Sequence, residues 1–252
     1  MVRKDITDIL ADWPFDPDIL NVRRITGKDN KEKIQLRLDL GLLQMEAEDR
    51  PDGTRPHDFD NYLAYYKAEQ ERVEKEENKV FVLTRDDLRD LQQESIQYYH
   101  RYLCFSELGD HEGVIRDTEH NLDVLEFVEE FAEDEESAWS FLQYFPYVRM
   151  MHTQSRVQMA MEEEQYAAAL DQIDRSIEEI NSFNKKWGIK ETRESTREIR
   201  ILTEWRETVL EKKPFSTQEK LQQELEEAIQ LEHYEKAARL RDQLEALQEN
   251  SS

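Results

Sequence analysis

Residues 221–247 read LQQELEEAIQLEHYEKAARLRDQLEAL, and the periodicity of this stretch decides the fold class. Leu221, Leu225, Ala228 and Ile229 recur at helical spacing. After Glu232-His233, a second run carries Tyr234, Ala237, Ala238, Leu240, Leu244 and Leu247 at the same period. Two apolar stripes on either side of a short polar break predict two helices folded back as an antiparallel hairpin. Pro214 precedes them, and Ser216-Thr217-Gln218-Glu219 has the form of a capping box, so a sharp helix start is expected. A lone hairpin of this length buries too little area to offset its ordering entropy. Its stripe must therefore cover something: the body of the same chain, a second copy, or another protein.

Within that stretch, Tyr234-Glu235-x-Ala237-Ala238-x-Leu240-Arg241-Asp242 closely resembles the core of the UvrB/UvrC motif. The aromatic-Glu pair, the two alanines and the Arg-Asp pair all fall in register. In excision-repair proteins that motif is where UvrB and UvrC contact each other, and it also occurs in Clp-type ATPases and in activators of protein arginine kinase. The resemblance therefore implies a protein-contact module with no chemistry of its own. Leu221, Leu225, Ile229, Tyr234, Ala237, Ala238, Leu240, Arg241 and Leu244 are the contact residues it nominates. The kinase activators add Cys-x-x-Cys zinc motifs, which a chain with 1 cysteine lacks. A Walker A loop, helicase motifs and a GIY-YIG nuclease sequence are also missing, so the chain is neither UvrB nor UvrC.

Upstream of the hairpin the pattern is helical as far back as Thr84, where Thr84 and Asp87 read as an N-cap with an acidic N3 partner. Breaks at Gly109-Asp110 and Glu164-Gln165, and a glycine cap at Trp187-Gly188, divide this region into successive helices. Ile199, Leu202, Trp205 and Val209 mark a further helix, closed by Pro214. Two helix pairs, about 95–128 and 150–183, resemble tetratricopeptide repeats through Val114, Ile115, Asn121 and Leu122 in the first and Tyr166, Ala169, Leu170, Ser176 and Ile177 in the second. An ordinary helical bundle fits the same pattern.

Residues 1–83 mix strand and helix. Ile34, Leu36, Leu38, Leu40 and Leu42 alternate with polar residues and Gly41, which predicts one strand with a single buried face. Leu43 and Met45 break the parity and suggest a bulge or the strand's end. Leu20, Val22 and Ile25 predict a partner strand across a turn at Thr26–Asn30, and Lys79–Leu83 a third strand. Arg50-Pro51-Asp52-Gly53 reads as a turn. The expected architecture is mainly α with a small N-terminal α+β part: an α+β domain over 1–83, a repeat-like helical domain over 84–213, and the hairpin over 214–252.

Composition bounds the function. Charged residues make up 37% of the 252 residues, against roughly 25% in an average domain. A net charge of -24 repels nucleic acid and anionic membrane over most of the surface. No stretch approaches the length of a membrane span. Cys104 stands alone, so an internal disulfide is impossible; with no apolar leader at the start, the cytoplasm is the expected compartment.

Candidate chemistry is sparse. His57, His100, His111, His120, His152 and His233 show neither His-x3-His nor Glu-x2-His spacing, so no metal or cofactor is expected. Cys104, flanked by Tyr99, Tyr102 and Phe105, reads as a buried small hydrophobe. Phe127, Phe131, Trp139, Phe141, Tyr144, Phe145 and Tyr147 form an aromatic cluster read as core, with a groove as the alternative. One stretch opposes the global charge: Arg23, Arg24, Lys28, Lys31, Lys33 and Arg37 outnumber Asp29 and Glu32 between residues 20 and 38. They either touch a nucleic-acid backbone or pair with the chain's own acids. The expectation is a non-catalytic adaptor joining proteins through its hairpin and helical middle. The alternative is an accessory factor of nucleotide excision repair that contacts nucleic acid through the basic hairpin.

Overall fold

The computed structural model describes residues 5–190, 192, 197–214 and 217–249. Near the N-terminus lie a short helix α1 (Thr7–Leu10) and three strands, β1 (Val22–Thr26), β2 (Glu32–Leu38) and β3 (Gly41–Glu46), paired antiparallel in the order β1-β2-β3. The run Ile34 to Leu42 is thus two strands, not one. Leu38 pairs with Gly41, Asp39-Leu40 is the two-residue turn, and Leu40 is 91% exposed. Partners across such a turn have numbers of opposite parity, so Ile34 faces Met45 and Leu36 faces Leu43. Cross-strand partners share a face of the sheet. The parity break at Leu43 and Met45 is therefore the return strand.

Both faces of β2 are covered. Ile34 and Leu36 are buried on one side; Lys33 and Gln35 are buried on the other. There the segment after α1 crosses the sheet, with the Arg23 guanidinium 4.0 Å from the centre of the Trp13 ring and that of Arg37 6.0 Å from the Phe15 ring.

The predicted turn at Arg50–Gly53 is present: the Gly53 N–H donates to the Arg50 carbonyl at 2.8 Å, with Gly53 at φ 70°, a conformation glycine adopts without strain. Next comes α2 (Tyr62–Glu76), capped by the Asn61 side chain. The segment 79–83 alternates as a strand should, with Phe81 and Leu83 buried and Val80 and Val82 exposed. It pairs only through a single bridge, Leu83 with Ala132, because its neighbours are helices and offer no ladder.

The helical layer follows: α3 (Arg85–Glu107), α4 (His111–Phe131), α5 (Glu135–Leu142), α6 (Phe145–Glu162), α7 (Tyr166–Lys186) and α8 (Arg197–Lys212). Thr84 and Asp87 close a reciprocal capping box at the start of α3. Helix α3 packs on α4, α4 on α6 and α6 on α7. Gly113 permits the first of these contacts, since a Cβ there would stand 2.8 Å from the Phe105 ring. Helices α3, α6 and α7 end in the same way. At Gly109, Glu164 and Gly188 the chain turns left-handed, and paired backbone bonds, such as Asp110 N–H to the Phe105 carbonyl and Gln165 N–H to the Ala160 carbonyl, satisfy the last turn. This is the Schellman arrangement.

Buried ion pairs lock the loop after β3 to the helices. Arg101 meets Asp117 through two bonds of 2.7 Å and donates to the carbonyls of Glu46 and Asp49. The Glu94 carboxylate accepts from Arg50 at 3.1 Å and from the N–H groups of Tyr62 and Leu63 at 2.8 and 3.2 Å, with His120 Nε2 at 3.2 Å. Both Arg101 and Glu94 are fully buried, so every charge in these networks depends on its partner. Apolar packing centres on Leu83, Leu91, Val124, Phe127, Val128 and Phe141. The chain divides into two compact units, Met1–Arg206 and Glu207–Ser252.

Candidate protein-contact hairpin

In the second unit, α9 (Thr217–Gln230) and α10 (Tyr234–Glu249) form the hairpin expected from the sequence. Ser216, the proposed cap of α9, lies outside the described residues. Helix α9 ends as the helices of the first unit do. Glu232 takes φ 57°, its N–H donates to the Ile229 carbonyl, and the His233 N–H donates to the Ala228 carbonyl at 2.8 Å. Three residues thus suffice to reverse the chain, which brings the two apolar stripes together.

The seam is built from Leu225 and Ala228 on α9 and Ala237, Leu240 and Leu244 on α10, all buried, with Leu221 packed at its edge. Small residues on both helices, Ala228 and Ala237, let the backbones approach. Five of the contact residues nominated from the sequence, namely Leu221, Leu225, Ala237, Leu240 and Leu244, are therefore spent inside the hairpin. The other four point outward: Ile229 is 47% exposed, Tyr234 is 68% exposed, and Ala238 and Arg241 are exposed. On α10, Tyr234, Ala238 and Arg241 stand at i, i+4 and i+7, one outer face. Leu231, in the turn, is 59% exposed. It falls outside the residues the sequence nominates, because a leucine in a predicted turn carries no periodic signal.

Residues 216–250 match the UvrB/uvrC motif. No curated protein and no solved structure gives a significant match to the chain. The UvrB/uvrC motif is associated with protein–protein interaction and with DNA-repair proteins. The tetratricopeptide likeness of the middle helices has no such support, although their consecutive packing is real. In this UvrB/uvrC hairpin, the alanine pair splits: Ala237 closes the seam and Ala238 belongs to the outer face.

The basic residues of the N-terminal strands are placed differently from a nucleic-acid groove. Arg24 bonds Glu32 at 2.6 Å and Asp110, the N-cap of α4, at 2.5 Å. Lys33 bonds Asp29 at 2.9 Å and Glu46 at 2.5 Å, and these bonds, the one to Glu46 foremost, raise its pKa. Arg23 donates to Gln35 and to the Ile9 carbonyl, and Arg37 to the carbonyls of Trp13 and Gly41. Lys28 and Lys31 are exposed at the β1–β2 turn.

Cys104 is fully buried, and desolvation pushes its thiol up to about 12. A thiol held that high is a poor nucleophile. His152 is buried; its Nδ1 lies 3.1 Å from the Thr118 hydroxyl and its Nε2 accepts from Arg156. Among the described residues, no three His, Cys, Asp or Glu side chains are placed to hold a metal ion. No described helix is long and apolar enough to cross a membrane. The aromatic cluster is divided: Phe127 and Phe141 are in the core, Phe131, Trp139 and Phe145 pack against it, and Tyr144 and Tyr147 line a surface cleft together with the edge of Phe141.

Proposed function

We propose that this chain is a non-catalytic cytoplasmic adaptor that holds one protein near another, and that the outer face of its UvrB/uvrC hairpin is the contact surface. The observation that carries this reading is the uncovered apolar group Ile229, Leu231, Tyr234 and Ala238 on a hairpin whose own seam is already closed. Exposed aliphatic and aromatic side chains grouped together, with a charged residue such as Arg241 at their rim, have the composition of a contact patch. The hairpin carries Lys220, Lys236, Arg239 and Arg241 against nine acids between residues 216 and 252. Charge therefore opposes self-association of two such hairpins, and a second protein is favoured over a second copy. Such a role would serve a DNA-repair assembly without this chain touching nucleic acid.

The test is capture from native extract on immobilised full-length protein and on the double variant Ile229→Glu, Tyr234→Glu. The reading expects a discrete partner held by the first and lost by the second, at raised as well as physiological salt, since screening weakens charge contacts and spares apolar ones. The same proteins held by both would reject it.

A further inference from the structure

In the first unit, far in sequence from the hairpin, α3, α4, α5 and the start of α6 enclose a cleft of about 490 Å³. That volume lies in the range of small-molecule sites, roughly 300–1,000 Å³. Its walls are chiefly aromatic and aliphatic: Tyr99, Tyr102, Phe141, Tyr144 and Tyr147, with Leu125 at the base. Tyr144 and Ile96, at the mouth, are 56% and 49% exposed, so apolar surface faces water at the entrance as well as within.

The polar lining is distinctive in what it holds. Gln92, Ser95, His100, Asn121 and Ser140 contribute, and among the described residues none that lines the cleft is Asp, Glu, Lys or Arg. In a chain with 37% charged residues, an uncharged cleft of this size stands apart. His100 extends the same character, because desolvation lowers its pKa and keeps the ring neutral at physiological pH. In the wall, Asn121 donates through Nδ2 to the Ser95 carbonyl at 3.1 Å, while Asn121 Oδ1 and Ser95 Oγ, both buried, have no hydrogen-bond partner in the protein. Buried polar atoms ordinarily have one. Oδ1 can only accept, whereas the Ser95 hydroxyl can donate as well as accept.

We propose that this cleft binds a small, neutral, largely apolar molecule of two or three aromatic rings, the rings stacking among the tyrosines. An anion is disfavoured because none of the described lining residues is a cation that would offset its lost hydration.

N-phenyl-1-naphthylamine is a suitable probe: two linked aromatic systems, no charge and one N–H. Titrated into the full-length protein, it should show saturable, one-to-one fluorescence enhancement. Its sulfonated counterpart, 1-anilinonaphthalene-8-sulfonate, should bind at least about tenfold more weakly, the charge being desolvated without a partner. Ser140→Trp, which fills the cleft from α5, and Ile96→Trp, which narrows the mouth from the exposed side, should each abolish probe binding. Thermal melts of both variants would verify folding, and Ile96, being half exposed, keeps the test open if Ser140→Trp fails to fold. Absence of saturable binding, equal affinity for the sulfonate, or binding retained in a folded tryptophan variant would each overturn the proposal.

Discussion

Two neighbouring alanines give the sharpest test of the hairpin. Ala237 is 5% exposed and sits among Leu225, Ala228, Leu240 and Leu244. Ala237→Glu would force a longer side chain into that closed seam, an overpacking cost of about 1–3 kcal/mol. It would also strip a carboxylate of water, about 1–3 kcal/mol more even on the mutational scale and with the acid protonated. A two-helix unit is marginal by itself, so a penalty of several kcal/mol should melt it. Ala238 is exposed one position on, and Glu there costs only a few tenths of a kcal/mol in helix propensity. Circular dichroism at 222 nm should then show Ala237→Glu losing the helical signal of the 14 residues of α9 and 16 of α10 while the first unit keeps its melt. Ala238→Glu should keep full helicity and lose partner capture. If Ala237→Glu kept its helicity, or if Ala238→Glu melted the hairpin equally, the assignment of seam and outer face would be wrong. A fully helical Ala238→Glu protein with unchanged capture would remove the outer face from the mechanism.

Glu94→Ala would leave buried Arg50 with only Asp52, at 3.0 Å, as its acid and the Leu63 N–H without its acceptor, a loss of about 2–4 kcal/mol, or a fall in Tm of roughly 4–16 °C for a chain of this size; a fall below about 2 °C in scanning calorimetry would contradict the role given to this network. Burial, aided by Arg149 and Arg156, pushes His152 down to about 4 from an ordinary 6.5. The unfolded chain therefore takes up a proton first as pH falls, and the stability owed to the neutral ring, complete above about pH 6.5, should be reduced by about 2 kcal/mol at pH 5. Urea midpoints at pH 7 and 5 measure this, and His152→Gln should flatten the difference. With Arg23, Arg24, Lys33 and Arg37 turned to internal partners, no retardation of duplex or single-stranded DNA is expected at about physiological ionic strength; submicromolar binding abolished by charge reversal at Lys28 and Lys31 would show that the exposed turn suffices.

The sequence by itself determined the features whose cause is local. The capping box at Thr84 and Asp87, the reversals at Gly109, Glu164 and Glu232, and the extent of the C-terminal hairpin depend on hydrogen bonds and dihedral angles within five residues, so residue types alone reveal them. Only the tertiary structure decided matters that depend on distant partners. A two-residue turn at Asp39-Leu40 leaves nearly the same alternation as one long strand, and the pairing of Ile34 with Met45 is what distinguishes them. Whether 79–83 belongs to a sheet turned on what lay beside it, and helices did. For Arg24 the sequence leaves open a nucleic-acid backbone or an acid of the same chain, and the fold decides by bringing Asp110 to it from 86 residues away. Seam and outer face divide between Ala237 and Ala238 because successive residues on a helix point about 100° apart, while an apolar stripe is wide enough to admit both; the packing of α9 on α10 made the choice.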